Sequence, residues 1–128
     1  MIAQRMLQVL EDIAGVTGSF VTSTSGNLVL LSMPERFDQK ELTLAASRVV
    51  RIFECAKAGG NSAEDCLLDF GEGKLLVRKF LRGYLCVLAA GSVDQKKLRR
   101  TTRLVARSLP KDIVRDDDHI TGREPILT

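Results

Sequence analysis

The sequence predicts an α+β domain built on a single antiparallel sheet. Short runs of β-branched and apolar residues fall into two groups, of two and of three, with hairpin-sized turns inside each. Three amphipathic stretches with recognisable start and stop signals separate and flank those groups. No internal repeat and no linker precedes Pro110. The order is α-β-β-α-β-β-β-α, five strands flanked by helices, with a domain over 1–109 and a flexible charged tail over 110–128.

Residues 2–14 read as the first helix, because Ile2, Met6, Leu10 and Ile13 recur at three- and four-residue steps and Gly15 follows. GSFVTST (18–24) and NLVLLSM (27–33), joined through Ser25-Gly26-Asn27, make a hairpin. The second strand is apolar at five of six positions from Leu28 to Met33, which suggests a strand covered on both faces or central in its sheet. The central helix begins at Asp38, with Glu41 completing a capping box, and ends at Gly59-Gly60. Its apolar residues Leu42, Ala45, Ala46, Val49, Val50, Ile52, Phe53 and Ala56 cover an arc of about 160° at 100° per residue. One sheet face requires a stripe of only ~100°, so this helix has apolar width left over for a second contact.

EDCLLDF (64–70), KLLVRKF (74–80) and GYLCVLAA (83–90) follow as a meander, turning at Gly71-Glu72-Gly73 and at Leu81-Arg82-Gly83. Asp94 caps a last helix running to about Leu109, with Leu98, Thr102, Val105 and Leu109 inward, and Pro110 stops it. Its remaining positions carry Lys96, Lys97, Arg99, Arg100, Arg103 and Arg107, with no acid among residues 95–108.

Composition narrows the class of protein. A hydrophobic content of 45% and a charged content of 27% over 128 residues fit one globular domain with a core of its own. A net charge of +3 is too small to imply nucleic-acid binding by itself, and the basic helix has no interleaved aromatic residues on which bases could stack. The amphipathic, acid-containing start MIAQRMLQVLED is unlike a signal peptide, and no run reaches the ~20 apolar residues of a membrane span, so the expected location is the cytoplasm.

Catalytic chemistry finds no constellation to use. Cys55, Cys66 and Cys86 are odd in number and sit in apolar runs, which reads as inert structural thiols in a reducing compartment. Gly71-Glu72-Gly73-Lys74 lacks phosphate-loop spacing and leads into a strand, so it reads as a turn. The run Asp116-Asp117-Asp118-His119 holds the only histidine, in a tail with no second shell to fix metal ligands. No cofactor, metal site or enzymatic activity is expected. The basic helix, in contrast, suits an acidic protein partner.

The segments LEDIAGVTGSFVTSTSGNLV, MPERFDQKELTLAASRVVRIF, LLVRKFLRGYLCVLA and LRRTTRLVARSL together resemble the Roadblock family of dynein light chains and its bacterial relatives. The I-x-G-V-x-G-S opening (Ile13–Ser19), the Gly26-Asn27 turn, the pair Ala45-Ala46 and the strand LCVLA before an Asp-started helix carry the likeness, over residues 5 to 109. The resemblance is strongest to the bacterial gliding-motility (Mgl) type. It implies a homodimer formed through the central helix and the third-strand edge, here Leu42, Ala45, Ala46, Val49, Ile52, Phe53, Cys66 and Leu68. It also implies work with a Ras-like small GTPase, a paralogous Roadblock protein or a polarity factor. Lys96, Arg99, Arg100, Arg103 and Arg107 are the expected partner-binding residues. With no extended lysine-rich C-terminal helix, the chain reads as a non-catalytic adaptor; direct GTPase activation is the alternative.

Overall fold

The computed structural model describes residues 2–60, 65–69, 73–80 and 82–109. The elements are α1 (Ile2–Glu11), β1 (Val16–Ser23), β2 (Leu28–Ser32), α2 (Gln39–Ala58), β3 (Asp65–Asp69), β4 (Gly73–Phe80), β5 (Gly83–Ala90) and α3 (Gln95–Ser108). This is the predicted order. The strands form one sheet, β2-β1-β5-β4-β3, with every neighbouring pair antiparallel.

β5 lies in the middle and is covered from both sides. Its Leu85, Val87 and Ala89 join Leu7 and Leu10 of α1, Val21, Leu76, and Leu98 and Val105 of α3. Its Tyr84 and Cys86 join Phe20, Val77 and the α2 residues Ala46, Val49, Val50 and Phe53 on the opposite face. The strand is therefore apolar at almost every position, with none of the alternation that one wet face would produce. Each fully buried Leu or Val contributes roughly 1.5–3 kcal/mol of transfer free energy.

Helix boundaries follow local chemistry. α1 stops at Glu11, short of the predicted residue 14, because the amides of Asp12 and Ile13 turn back to the carbonyls of Val9 and Leu10 in tighter three-residue steps. The three residues this frees allow β1 to start at Val16. Asp38 receives the Lys40 amide at 3.2 Å and so caps the helix, but Glu41 is exposed and makes no return bond, so the capping box does not form. Gly60, at φ +93°, ends α2 in the left-handed region as glycine allows. The Asp94 carboxylate takes the Lys97 amide at 3.2 Å, and α3 closes at Leu109, whose amide bonds the Val105 carbonyl.

The apolar run Leu28–Met33 is the clearest departure. β2 is an edge strand, not a central one, and all five of its residues are half-buried. Both faces are nonetheless partly covered. Gln4 of α1 donates to the Leu31 carbonyl at 2.9 Å, and Leu28, Leu31 and Met33 pack against the cluster under α2.

The thiols differ by position. Cys86 is fully enclosed, and burial pushes its ionisation well above the ordinary value of 9.0. Cys66 is half-buried, whereas Cys55 is exposed on α2, which corrects its expected place in the interior. At residue 55 the apolar neighbours face the sheet while the cysteine faces water. Tyr84 donates its hydroxyl to Glu54 at 2.7 Å, and its ring lies 5.0 Å from that of Phe53. Burial first, and then the Glu54 carboxylate, push the phenol far above its usual range.

Two outcomes follow from this packing. In native protein, iodoacetamide modifies Cys55 readily and leaves Cys86 unmodified until the chain unfolds, as mass spectrometry of the labelled peptides will show. Gly83 sits where a Cβ would collide with the Thr22 carbonyl oxygen, a backbone atom that cannot rotate away. Gly83→Ala forces β1 and β5 apart and lowers stability by about 2–4 kcal/mol in urea unfolding.

Candidate functional site

Five strands separated by ~4.8 Å span about 19 Å, and a helix with its side chains is about 10 Å wide. α1 and α3 together cover one face of the sheet. On the other face α2 lies alone, and it covers β3 only in part: Cys66 and Leu68 pack against the cluster beneath it and stay half-buried. The uncovered strip is a groove of about 370 Å³ between α2 and the β3–β4 end of the sheet. Leu44, Ala45, Val49 and Ile52 of α2 and Leu68 and Leu75 of the sheet form its apolar walls, with Glu41 and Arg48 at its rim.

The helix wheel divides the expected contact residues into two sets. Leu42, Ala46, Val49 and Phe53 are buried in the chain's own core, with at most 5% exposure. Ala45 and the β3 residues Cys66 and Leu68 are half-buried, and Ile52 is 46% exposed. The surplus apolar width of α2 therefore lies on its β3 side. Leu44, 52% exposed, belongs to the same stripe and was not anticipated. Its eight-residue spacing from Ile52, with Arg48 midway, was the available signal.

Next to the groove runs a free strand edge. β3 pairs with β4 on one side, and among the described residues nothing pairs with its other side. Such an edge presents unpaired amide and carbonyl groups to any strand that approaches it. Asp65 fixes the start of β3. Its carboxylate meets Arg78 of β4 at 3.4 Å and Arg99 of α3 at 2.9 Å.

That second bond alters the expected basic surface. Arg99 is turned toward the β3 edge and is already paired, whereas Lys96, Arg100, Arg103 and Arg107 are exposed. These four follow steps of four, three and four residues, diametrically opposite the buried Leu98 and Val105. The face of α3 is thus narrower than anticipated and free of internal ion pairs among the described residues.

Among the described residues no group of three or more His, Cys, Asp and Glu side chains could hold a metal, and no helix is long and apolar enough to cross a membrane. Asp116–His119 lies outside the described residues.

No protein-family model matches the sequence, and no curated protein matches it. Solved structures do share its architecture. MglB from Myxococcus xanthus superposes with a TM-score of 0.74 at 17% identity, over 88% of this chain and 94% of that one. A Roadblock/LC7 domain from Streptomyces avermitilis gives 0.67 at 15% identity, over 82% and 92%. MglC from Myxococcus xanthus gives 0.62 at 13% identity, over 85% and 97%. The five-stranded sheet with two helices on one face and one on the other is the Roadblock/LC7 fold.

Proposed function

We propose that this chain is a non-catalytic homodimeric adaptor in a Ras-like small-GTPase pathway of bacterial cell polarity or motility. The observation that carries the reading is the groove beside α2, continuous with the open edge of β3. A second copy supplies what both features lack. Antiparallel pairing of two β3 edges is two-fold by construction, pairs the exposed backbone groups of both copies, and extends the sheet to ten strands. The same two-fold axis brings the partner's α2 toward the strip that one helix leaves bare. The likeness in fold to MglB and MglC supports placing that dimer in gliding motility, and the resemblance of the sequence supports the GTPase connection.

Val49 is a poor probe of this interface, because it is only 4% exposed and a charge there would unfold the monomer. Ile52 is the better one. Ile52→Asp places a charge on the exposed wall of the groove, weakening self-association on the order of 100-fold while changing unfolding of the isolated domain by under ~1 kcal/mol. Sedimentation over a concentration series measures the first and chemical denaturation the second. A wild-type protein that remains monomeric at micromolar concentrations overturns the dimer.

The adaptor and the direct activator differ in one measurement. GTP turnover by a purified Ras-like partner, with and without stoichiometric wild-type chain, stays constant for an adaptor that nevertheless co-sediments with that partner. A rise of tenfold or more, on the scale of ~1.4 kcal/mol in the barrier, makes the chain an activator instead.

A further inference from the structure

Four large apolar side chains stand exposed among the described residues, and the groove accounts for two of them. Leu44 and Ile52 belong to α2, whereas Val9 of α1 and Leu104 of α3, 49% and 55% exposed, lie on the opposite face of the sheet. Both of these turn toward the seam between the two helices. Gln4 and Glu11 mark the side of α1 that faces β2, through bonds to the Leu31 carbonyl and from the Ser32 hydroxyl, and Val9 lies about 150° round the helix from them. Arg99 marks the side of α3 that faces β3, and Leu104 lies about 140° from it, on the side toward α1. Between Arg99 and Leu104 run Lys96, Arg100, Arg103 and Arg107 within an arc of about 60°, exposed and without a carboxylate partner among the described residues. On α1 the outward charges Arg5 and Asp12 offset each other, so the face takes its sign from α3.

A row of cations on the convex outer side of a helix, edged by exposed aliphatic side chains, matches a charged lipid surface. Lys and Arg lay their apolar stems along such a surface while their charges stay in water, and aliphatic residues among them reach the acyl boundary. We propose that the outer face of α1 and α3 docks on an anionic lipid bilayer, with Lys96, Arg100, Arg103 and Arg107 against the headgroups and Leu104 and Val9 entering beneath them.

The geometry of two copies favours a planar partner, a step that rests on the proposed dimer. A two-fold axis that pairs two β3 edges antiparallel runs normal to the sheet, so α1 and α3 of both copies lie on the same side of it. α3 packs on β4 and β5, about two strand spacings from that axis, so the two basic stripes stand roughly 20 Å apart and face one way. That separation exceeds the Debye length of about 8 Å at physiological ionic strength, so the stripes act as two footholds rather than one merged field. A bilayer meets both at once. Each Lys or Arg held at an anionic surface contributes on the order of fivefold in affinity, and the second stripe turns a weak contact into a lasting one. The groove and α2 lie on the other side and stay clear of the lipid.

The test is co-sedimentation of the full chain with vesicles of about 30% phosphatidylserine in phosphatidylcholine, and with phosphatidylcholine alone. Wild type is expected to bind the anionic vesicles, to ignore the neutral ones, and to be released at about 0.5 M salt, where the Debye length falls to a few ångströms. Changing Arg100, Arg103 and Arg107 all to Ser lowers the affinity on the order of 100-fold, and changing all three to Lys keeps it within about threefold, which separates lost charge from a lost fold. Leu104→Ser alters no charge and lowers it about fivefold. Ile52→Asp, on the opposite face, lowers it about tenfold or more by removing the second stripe. Sedimentation without lipid reports the oligomeric state separately. A wild type that is monomeric there sinks the dimer reading alone, and vesicle binding lost in the Ser variant then still assigns the contact to α3. The proposal is overturned if wild type ignores anionic vesicles at low salt, if the Ser variant binds them as tightly as wild type, or if monomeric Ile52→Asp protein binds as tightly as a wild-type dimer. It is overturned equally if a soluble polyglutamate peptide is held more tightly than the vesicles per acidic group, which gives the face to an acidic protein.

Discussion

Burial of β5 on both faces is the constraint on which the rest depends. A strand in the middle of a sheet, with Tyr84 and Cys86 pointing one way and Leu85 and Val87 the other, needs helices above and below it. The described residues supply three. Two on one side are enough to cover five strands, and one on the other is not. The groove beside α2 is thus the geometric remainder of an odd helix count, and no single residue creates it. The free edge of β3 has a similar origin, because a meander that ends its sheet at β3 must leave one row of backbone groups unpaired.

Most of the fold was legible because its signals are local. The spacing of Leu98, Thr102 and Val105 is set within a few helical turns, Asp94 caps within three residues, and the hairpins declare themselves through glycine. Leu28–Met33 shows what such a signal measures. An unbroken apolar run reports coverage on both faces, and β2 obtains it in part from α1 and from the cluster under α2 while sitting at the sheet's edge. Coverage and centrality coincide in β5 and separate in β2. Sequence pattern alone does not distinguish them.

The surfaces were less legible, because they depend on contacts distant along the chain. Arg99 looks like its neighbours in sequence, yet a carboxylate 34 positions away claims it. Asp65 itself gave no sign of a role, since an acid at a strand start reads as a solvated flank. The α2 residues follow the same rule. An arc of apolar residues can be counted in advance, but which edge of the arc belongs to the chain's own sheet depends on where β3 and β4 end. Leu42 and Ala46 fell on the inner side and Ile52 on the outer, beside Leu44, which lay beyond the counted arc.

Asp65 also relates the two surfaces to each other. Its carboxylate bridges Arg78 in the sheet and Arg99 in α3, at the strand whose far edge is open. Burial of Leu98, Thr102, Val105 and Ala106 sets the rotation of α3 about its axis, and that angle turns Arg100, Arg103 and Arg107 away from the sheet while leaving Arg99 within reach of Asp65. The apolar groove and the basic stripe lie on opposite faces of one sheet, so a copy seated against α2 does not occlude α3. A dimer formed on the first surface therefore carries two copies of the second, and ligands with two acidic sites can gain from engaging both. The proposed self-association and the proposed charge-directed binding would thus use separate sides of the molecule.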